Sequence, residues 1–272
     1  MPPAVTEWSN LVLRVTHVFV AILWIGQTYY FTKLDLRLTQ EEKALPASGG
    51  TAQVWMVHSG GFFIAERQAT PKLLPSTLHW FRWEALLTWL SGFLLLGLLY
   101  YSDGLLLDSS VSNIGMGTGV AIGIGTLVVG WLVYDLIWTS PLGRFPVVSG
   151  TICYILVVAL TYGLTHLLSG RAAYIHIGAL FGTIMTANVW AKILPASRNM
   201  LNALKQGRQP DMTLGSRAKA RTVHNTYMTI PVIFIMVSNH FPGTYGSSYN
   251  WLILSLLILA GGIAAKLIYY RT

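Results

Sequence analysis

The stretch GMGTGVAIGIGTLVVGWLVYDLIW, residues 115–138, carries a single charged side chain, Asp135. A helix needs about 20 apolar residues to cross a hydrocarbon core, so this stretch is long enough to span a bilayer. Gly115, Gly119 and Gly123 recur at every fourth position and predict the close approach of a neighbouring helix. They do not make a nucleotide loop, because the third glycine of a G-x-G-x-x-G is missing and no strand precedes it.

The rest of the chain reads the same way. It has 272 residues, of which 53% are hydrophobic and 10% charged, with a mean hydropathy of +0.54. Soluble domains carry about 25% charged residues. Apolar stretches mark seven spans near 8–31, 80–101, 115–138, 147–168, 172–194, 223–240 and 251–269. Barrel-type alternation is missing, so the expected fold is an all-α integral membrane bundle of about seven transmembrane helices, one domain over 1–272.

Charge placement orients it. The segment 191–222 holds Lys192, Arg198, Lys205, Arg208, Arg217, Lys219 and Arg221 against Asp211, and the segment 32–78 holds Lys33, Arg37, Lys43, Arg67 and Lys72. The segments 102–114 and 241–250 contain neither Lys nor Arg. The positive-inside rule places the first two in the cytoplasm, with the N-terminus outside and the C-terminus cytoplasmic. Arg171 is the exception. The net charge of +8 is accounted for by topology, and nucleic acid is not expected as a partner.

Both basic segments read as cytoplasmic loops. In 32–78, Pro46, Ser48, Gly49 and Gly50 predict a flexible turn, and 53–66 is apolar but too short to cross, which suggests a re-entrant or interfacial segment. The single cysteine, Cys153, excludes an intrachain disulfide, a thiolate zinc site and covalent haem attachment through Cys-x-x-Cys-His. The first apolar stretch lacks a basic flank and a cleavage site, so it reads as a retained span.

The seven histidines sort by depth. His17 lies roughly 14 Å below Trp8, and His176 roughly 8 Å below Arg171, at 1.5 Å per residue. Histidines within spans often serve only as hydrogen-bonding glue. Facing helices can also offer one or two imidazoles to a b-type haem. His17 and His176 are the preferred pair of iron ligands, with His240 in reserve, and Arg14 suits a propionate. His58, His79, Arg82, Glu84, His224, Asn225 and Tyr227 gather at the cytoplasmic face, where Asp135 is a candidate partner for Arg82.

Several motifs together resemble the membrane domain of bacterial urate hydroxylases, the urate oxidase N-terminal family. They are Trp55-Met-Val-His58-Ser-Gly60-Gly61-Phe62, Leu78-His79-Trp80-Phe81-Arg82-Trp83-Glu84-Ala85 and Gly130-Trp131-Leu-Val-Tyr134-Asp135. Ser169-Gly170-Arg171-Ala-Ala-Tyr174-Ile-His176-Ile-Gly178, Val223-His224-Asn225-Thr226-Tyr227 and Ser238-Asn239-His240-Phe241-Pro242 follow in order. The resemblance implies a multi-pass protein of the bacterial inner membrane that oxidises urate to 5-hydroxyisourate and passes electrons to a c-type cytochrome. Longer members carry a further span and a cytochrome c domain. Here the chain stops at Thr272, so the acceptor is expected to be a separate protein.

Urate is a planar anion, which calls for a guanidinium, amide hydrogen bonds and an aromatic face. Arg82, Trp83, Asn225, Tyr227 and His58, with Phe62 nearby, offer that chemistry. His79, Glu84 or His224 could serve as the base that activates water. An alternative is a non-catalytic subunit, haem-binding or purely structural, in a respiratory complex. A transporter has less support, because no inverted repeat is visible. Glycine-rich span faces also suit a homodimer.

Overall fold

The structure is a computed structural model that describes residues 2–46, 50–68 and 78–270. Helix α1 (Pro3–Ala44) leads into a hairpin of β1 (Gln53–His58) and β2 (Gly61–Glu66). Then come α2 (Trp83–Leu96), extended by a π turn at Gly97–Tyr101, α3 (Met116–Thr139) and α4 (Pro146–Thr165). Helix α5 (Gly170–Ala187) continues through a π turn at Asn188–Ile193 into α6 (Leu194–Lys205). Helix α7 (Met212–Ser238), the short α8 (Pro242–Tyr245) and α9 (Asn250–Tyr270) complete the order.

Among the described residues, six helical stretches are long and apolar enough to cross a membrane. The remaining predicted span, 223–240, falls largely inside α7, whose basic first half lowers its apolarity. An all-α membrane bundle is the fold. Helix α5 is its centre, packed against α2, α3, α4 and α7. Ala172, Ala173, Tyr174 and Ile177 on it are fully buried. Its start is fixed by Ser169, whose Oγ accepts from the Ala172 N–H at 3.1 Å. Prolines open α1, α4 and α6, where a missing N–H costs nothing.

The glycine reading of α3, close approach of a neighbouring helix, holds at Gly123 against α5, whereas Gly119 makes room for the segment that carries Leu106 and Leu107. A Cβ at Gly119 would meet Leu107 at 2.9 Å, and one at Gly123 would meet the His176 ring at 2.5 Å. Gly115 has open space around it. Pro231 interrupts α7, and Gly261 of α9 lets the two helices close on the break: a Cβ there would lie 2.9 Å from the proline nitrogen.

The predicted loops are more ordered than the sequence suggests. Residues 32–44 continue α1, because Lys, Leu, Arg, Gln and Glu are good helix formers and neither Gly nor Pro interrupts them. Helix α1 is therefore about 63 Å long, twice a bilayer's apolar core of about 30 Å. In the basic segment, α6 and the start of α7 replace most of the loop, with Asp211 capping α7 through the Thr213 N–H at 2.9 Å. The segment 53–66 is a β-hairpin rather than a re-entrant stretch. Of the predicted turn, Ser48 and Gly49 lie outside the described residues, as does Lys72.

Candidate functional site

From the end of the bundle opposite the basic segments, α1, α2, α5 and α7 line a cavity of about 780 Å³ that reaches Gly26 and Thr186. His17, His240, Arg14 and Arg171 line it, together with Thr88, Trp89 and Tyr100. Gly26 and Gly182 also line it and have open space where a Cβ would stand, whereas Gly92 makes room for His17 and Gly178 for Ile235. His17 is oriented by α2. Its Nδ1 lies 2.9 Å from the Thr88 carbonyl, which can only accept, so Nδ1 carries the proton. Ser91 Oγ stands 3.1 Å from the same nitrogen, while its own hydroxyl donates to the Leu87 carbonyl at 2.6 Å. This leaves Nε2 with a lone pair. Donation from the other ring nitrogen to a carbonyl is the usual support for a metal-bound imidazole.

Arg14 donates to Asn10 Oδ1 at 2.6 Å, and Arg171 donates to Asn239 Oδ1 at 3.3 Å. Asn239 in turn donates to Tyr100 Oη at 3.0 Å. Arg171, the exception to the charge pattern, thus has a place on the cavity wall beside His240. An imidazole pair, glycine walls and two guanidinium groups suit a planar dicarboxylate macrocycle such as haem. Among the described residues, no three His, Cys, Asp or Glu side chains gather to hold a bare metal ion.

His176, expected to pair with His17, does not line this cavity. It is fully buried, with Nδ1 donating to the Ala172 carbonyl at 2.7 Å and Nε2 accepting from Tyr101 Oη at 3.0 Å. Both nitrogens are engaged, so the ring ties α5 to the π turn after α2. The imidazoles that share the cavity are His17 and His240.

The basic end holds a second cluster. Arg82 sits just before α2, its guanidinium carbon 5.3 Å from the Trp83 ring and 5.9 Å from the Trp190 ring. The indoles pack edge to face at 5.8 Å. Glu84 accepts from Gln27 Nε2 at 3.1 Å through one oxygen. Arg82 Nε, Trp190 Nε1 and the second Glu84 oxygen are buried without a protein partner, the three such side-chain atoms among the described residues. The Arg82 and Trp190 donors, unmatched beside the paired indoles, make this a ligand-binding candidate, with the unmatched Glu84 oxygen two residues further along the chain. His79, three residues before Arg82, is exposed and packs on Phe81 at 4.5 Å, and Phe81 packs on Phe31 at 4.9 Å.

Other members of the expected cytoplasmic cluster are elsewhere. Asn225 is spent within the bundle, accepting from Asn188 at 2.9 Å and donating to the Met185 carbonyl at 3.0 Å. His224 packs on Trp138 at 4.0 Å and meets Tyr134 Oη at 2.8 Å. Tyr227 faces Tyr269. His58 is exposed at the hairpin end, with Ser59 Oγ at 2.8 Å. Asp135 does not pair with Arg82: it bonds Arg221 at 2.8 Å and Lys192 at 2.6 Å. Helix α7 brings Arg221 to α3, whereas Arg82 lies against the Trp83 and Trp190 indoles. Trp190, Gln27 and Arg171 were not singled out as site residues in the sequence, although Arg171 was conspicuous as the one basic residue on the wrong side.

No curated protein and no solved structure matches the chain significantly. A family model, urate oxidase N-terminal, matches residues 3–272. The bundle, with its cavity and its aromatic-guanidinium cluster, thus belongs to the urate oxidase N-terminal family.

Proposed function

We propose that this chain is a membrane-bound urate hydroxylase of the bacterial inner membrane, with urate bound at Arg82, Trp83, Trp190 and Glu84 on the cytoplasmic side. The three unmatched polar atoms carry the reading. Urate offers carbonyl oxygens to the Arg82 and Trp190 N–H groups, an N–H to the Glu84 oxygen, and a flat ring to the indoles. Urate and water give 5-hydroxyisourate with release of two protons and two electrons. Glu84, steadied by Gln27, is placed to take a proton, with the exposed His79 as the route to bulk water.

A b-type haem would be held by His17 and His240, with Arg14 and Arg171 available to its carboxylates, and a separate c-type cytochrome would be the electron acceptor. When bound, the haem supplies one-electron redox capacity. This chain's own part is to fix the His17 tautomer through Thr88 and to keep the cavity walls bare with glycine.

The test is an optical spectrum of purified protein, mixed anaerobically with urate. A Soret band reduced by urate is expected; absence of the band defeats the electron path. The Arg82→Ala variant should bind urate about 10- to 100-fold more weakly, since a hydrogen bond to a charged group contributes about 1.5–3 kcal/mol. Unchanged affinity removes Arg82 from the site.

A further inference from the structure

The hairpin β1–β2 has an unusual surface. Its strands pair Val57 with Phe62 and Trp55 with Ile64, and these four side chains share one face. Their exposures are 70%, 77%, 64% and 50%, respectively. On the other face Val54, Met56 and Ala65 are half-buried, and Tyr30 Oη of α1 donates to Met56 Sδ at 3.2 Å. A hairpin with one face on protein and the other in water alternates apolar with polar residues. This one is apolar on its outward face, except at its base, where Gln53 pairs with Glu66.

The direction of the hairpin explains that gradient. At its base Arg67 binds Asp35, Thr39 and Glu42 of α1, and Lys219 of α7 reaches the same Asp35 at 2.6 Å. From Thr39 to Tyr30 is about 13 Å along α1, and from Arg67 to Phe63, which pairs with Met56, is also about 13 Å of strand. The hairpin therefore lies along α1 and runs from its charged extension toward the apolar span. No Asp, Glu, Lys or Arg occurs in α1 between Arg14 and Lys33, so Met56 already stands at the border of the apolar zone. The turn is a further ~10 Å beyond it. Ser59 at φ 50° and Gly60 at φ 77° close it as a tight two-residue loop.

We propose that this hairpin is a membrane-interface anchor, its Trp55–Val57–Phe62–Ile64 face seated among phospholipid headgroups and upper acyl chains. A two-stranded sheet has unpaired backbone groups along both edges, which hydrocarbon does not tolerate, so the seat is shallow. Trp at such a depth matches the aromatic belts of membrane proteins. The anchor is independent of the catalytic reading.

The full-length chain with Cys153→Ala carries single cysteines at Val57, Phe62 or, as a water-side control on the same face, Gln53. Each is labelled with an environment-sensitive fluorophore and reconstituted in nanodiscs of phosphatidylcholine and phosphatidylglycerol in equal parts. Lipids bearing a nitroxide near the headgroup should quench positions 57 and 62 several-fold more than position 53. Equal quenching at all three overturns the anchor. A blue-shifted label at 57 and 62 without quenching also overturns it, and means a protein partner or a second copy covers the face. Should the cysteine-free background fail to fold, Trp55→Phe in the native chain provides the readout: quenching by brominated lipids should fall relative to wild type, and an unchanged value refutes the proposal.

Discussion

Asp135 is the point where α3, α5–α6 and α7 are tied by charge, and its replacement is the sharpest test of the packing described. The Arg221 side chain is 8% exposed and has Asp135 at 2.8 Å. Its remaining contacts are Asn188 Oδ1 at a weak 3.4 Å and the Tyr134 ring at 5.1 Å. Asp135→Leu strands this guanidinium. Removing one partner of a buried pair costs about 3–5 kcal/mol, because a desolvated charge is left behind. Lys192, 31% exposed, also loses its partner but keeps water, so it adds about 0–1 kcal/mol. Arg221→Met should cost less, since Asp135 retains Lys192. In the double variant no stranded buried charge remains, and stability should return to within about 1–2 kcal/mol of wild type. The assay is reversible unfolding in mixed micelles followed by tryptophan fluorescence, completing a double-mutant cycle. If the two single losses simply add, the ion pair is not coupled and the reasoning fails.

Other outcomes follow from the same geometry. His17→Ala should abolish or shift the Soret band, whereas His176→Ala should leave it in place and cost about 1–3 kcal/mol through the lost buried hydrogen bonds; a Soret lost only with His176 reverses the ligand assignment. Glu84→Gln should keep the Gln27 contact and urate affinity within about tenfold while slowing turnover by about 10²–10⁴; an unchanged rate removes Glu84 as the base. The Asp211 carboxyl, held below its usual range by the Thr213 hydroxyl and N–H, caps α7 above that range. The cap is lost as pH falls through the lowered value, and hydrogen exchange at the start of α7 should rise there and nowhere else in the helix.

Which segments form long apolar helices was legible in the sequence, but the direction their side chains face was not. Hydropathy located the spans, and Gly119 and Gly123 announced the close packing of α3. His17 and His176 both lie in helices long and apolar enough to span, yet only one lines the cavity, because azimuth depends on how α5 is rotated against its neighbours. The mutual exclusion of Asp135 and Arg82 has the same origin: both sit near the basic end, and only packing decides that Arg221 reaches α3. The hairpin was obscured because its outward face is as apolar as a buried segment, so the alternation that betrays a strand is erased over Trp55–Met56–Val57 and Phe62–Phe63–Ile64. Trp190 reaches Arg82 from a π turn, which shifts the register of side chains and cannot be read from helical periodicity.

The two candidate sites share one helix pair. Helix α1 presents His17 to the cavity and Gln27 to Glu84, and α2 answers with Thr88 and Glu84. Along α1 those positions are ten residues apart, about 15 Å; the cavity runs along α1 as far as Gly26 but is lined by neither Gln27 nor Glu84, so the sites should be separable by substitution. Gly92 gives the means, because its absent side chain is space for His17: a Cβ there would lie 2.8 Å from the imidazole Cε1. Gly92→Leu should displace the ring and fill the cavity, eliminating the Soret band, while urate affinity measured by equilibrium binding stays within about threefold of wild type, a shift under 1 kcal/mol. Arg82→Ala should do the reverse, losing urate and keeping the haem spectrum. Loss of both properties in each variant, with the bundle still folded, would mean that substrate and haem occupy one site, and the division of labour between the two ends of the α1–α2 pair would have to be abandoned.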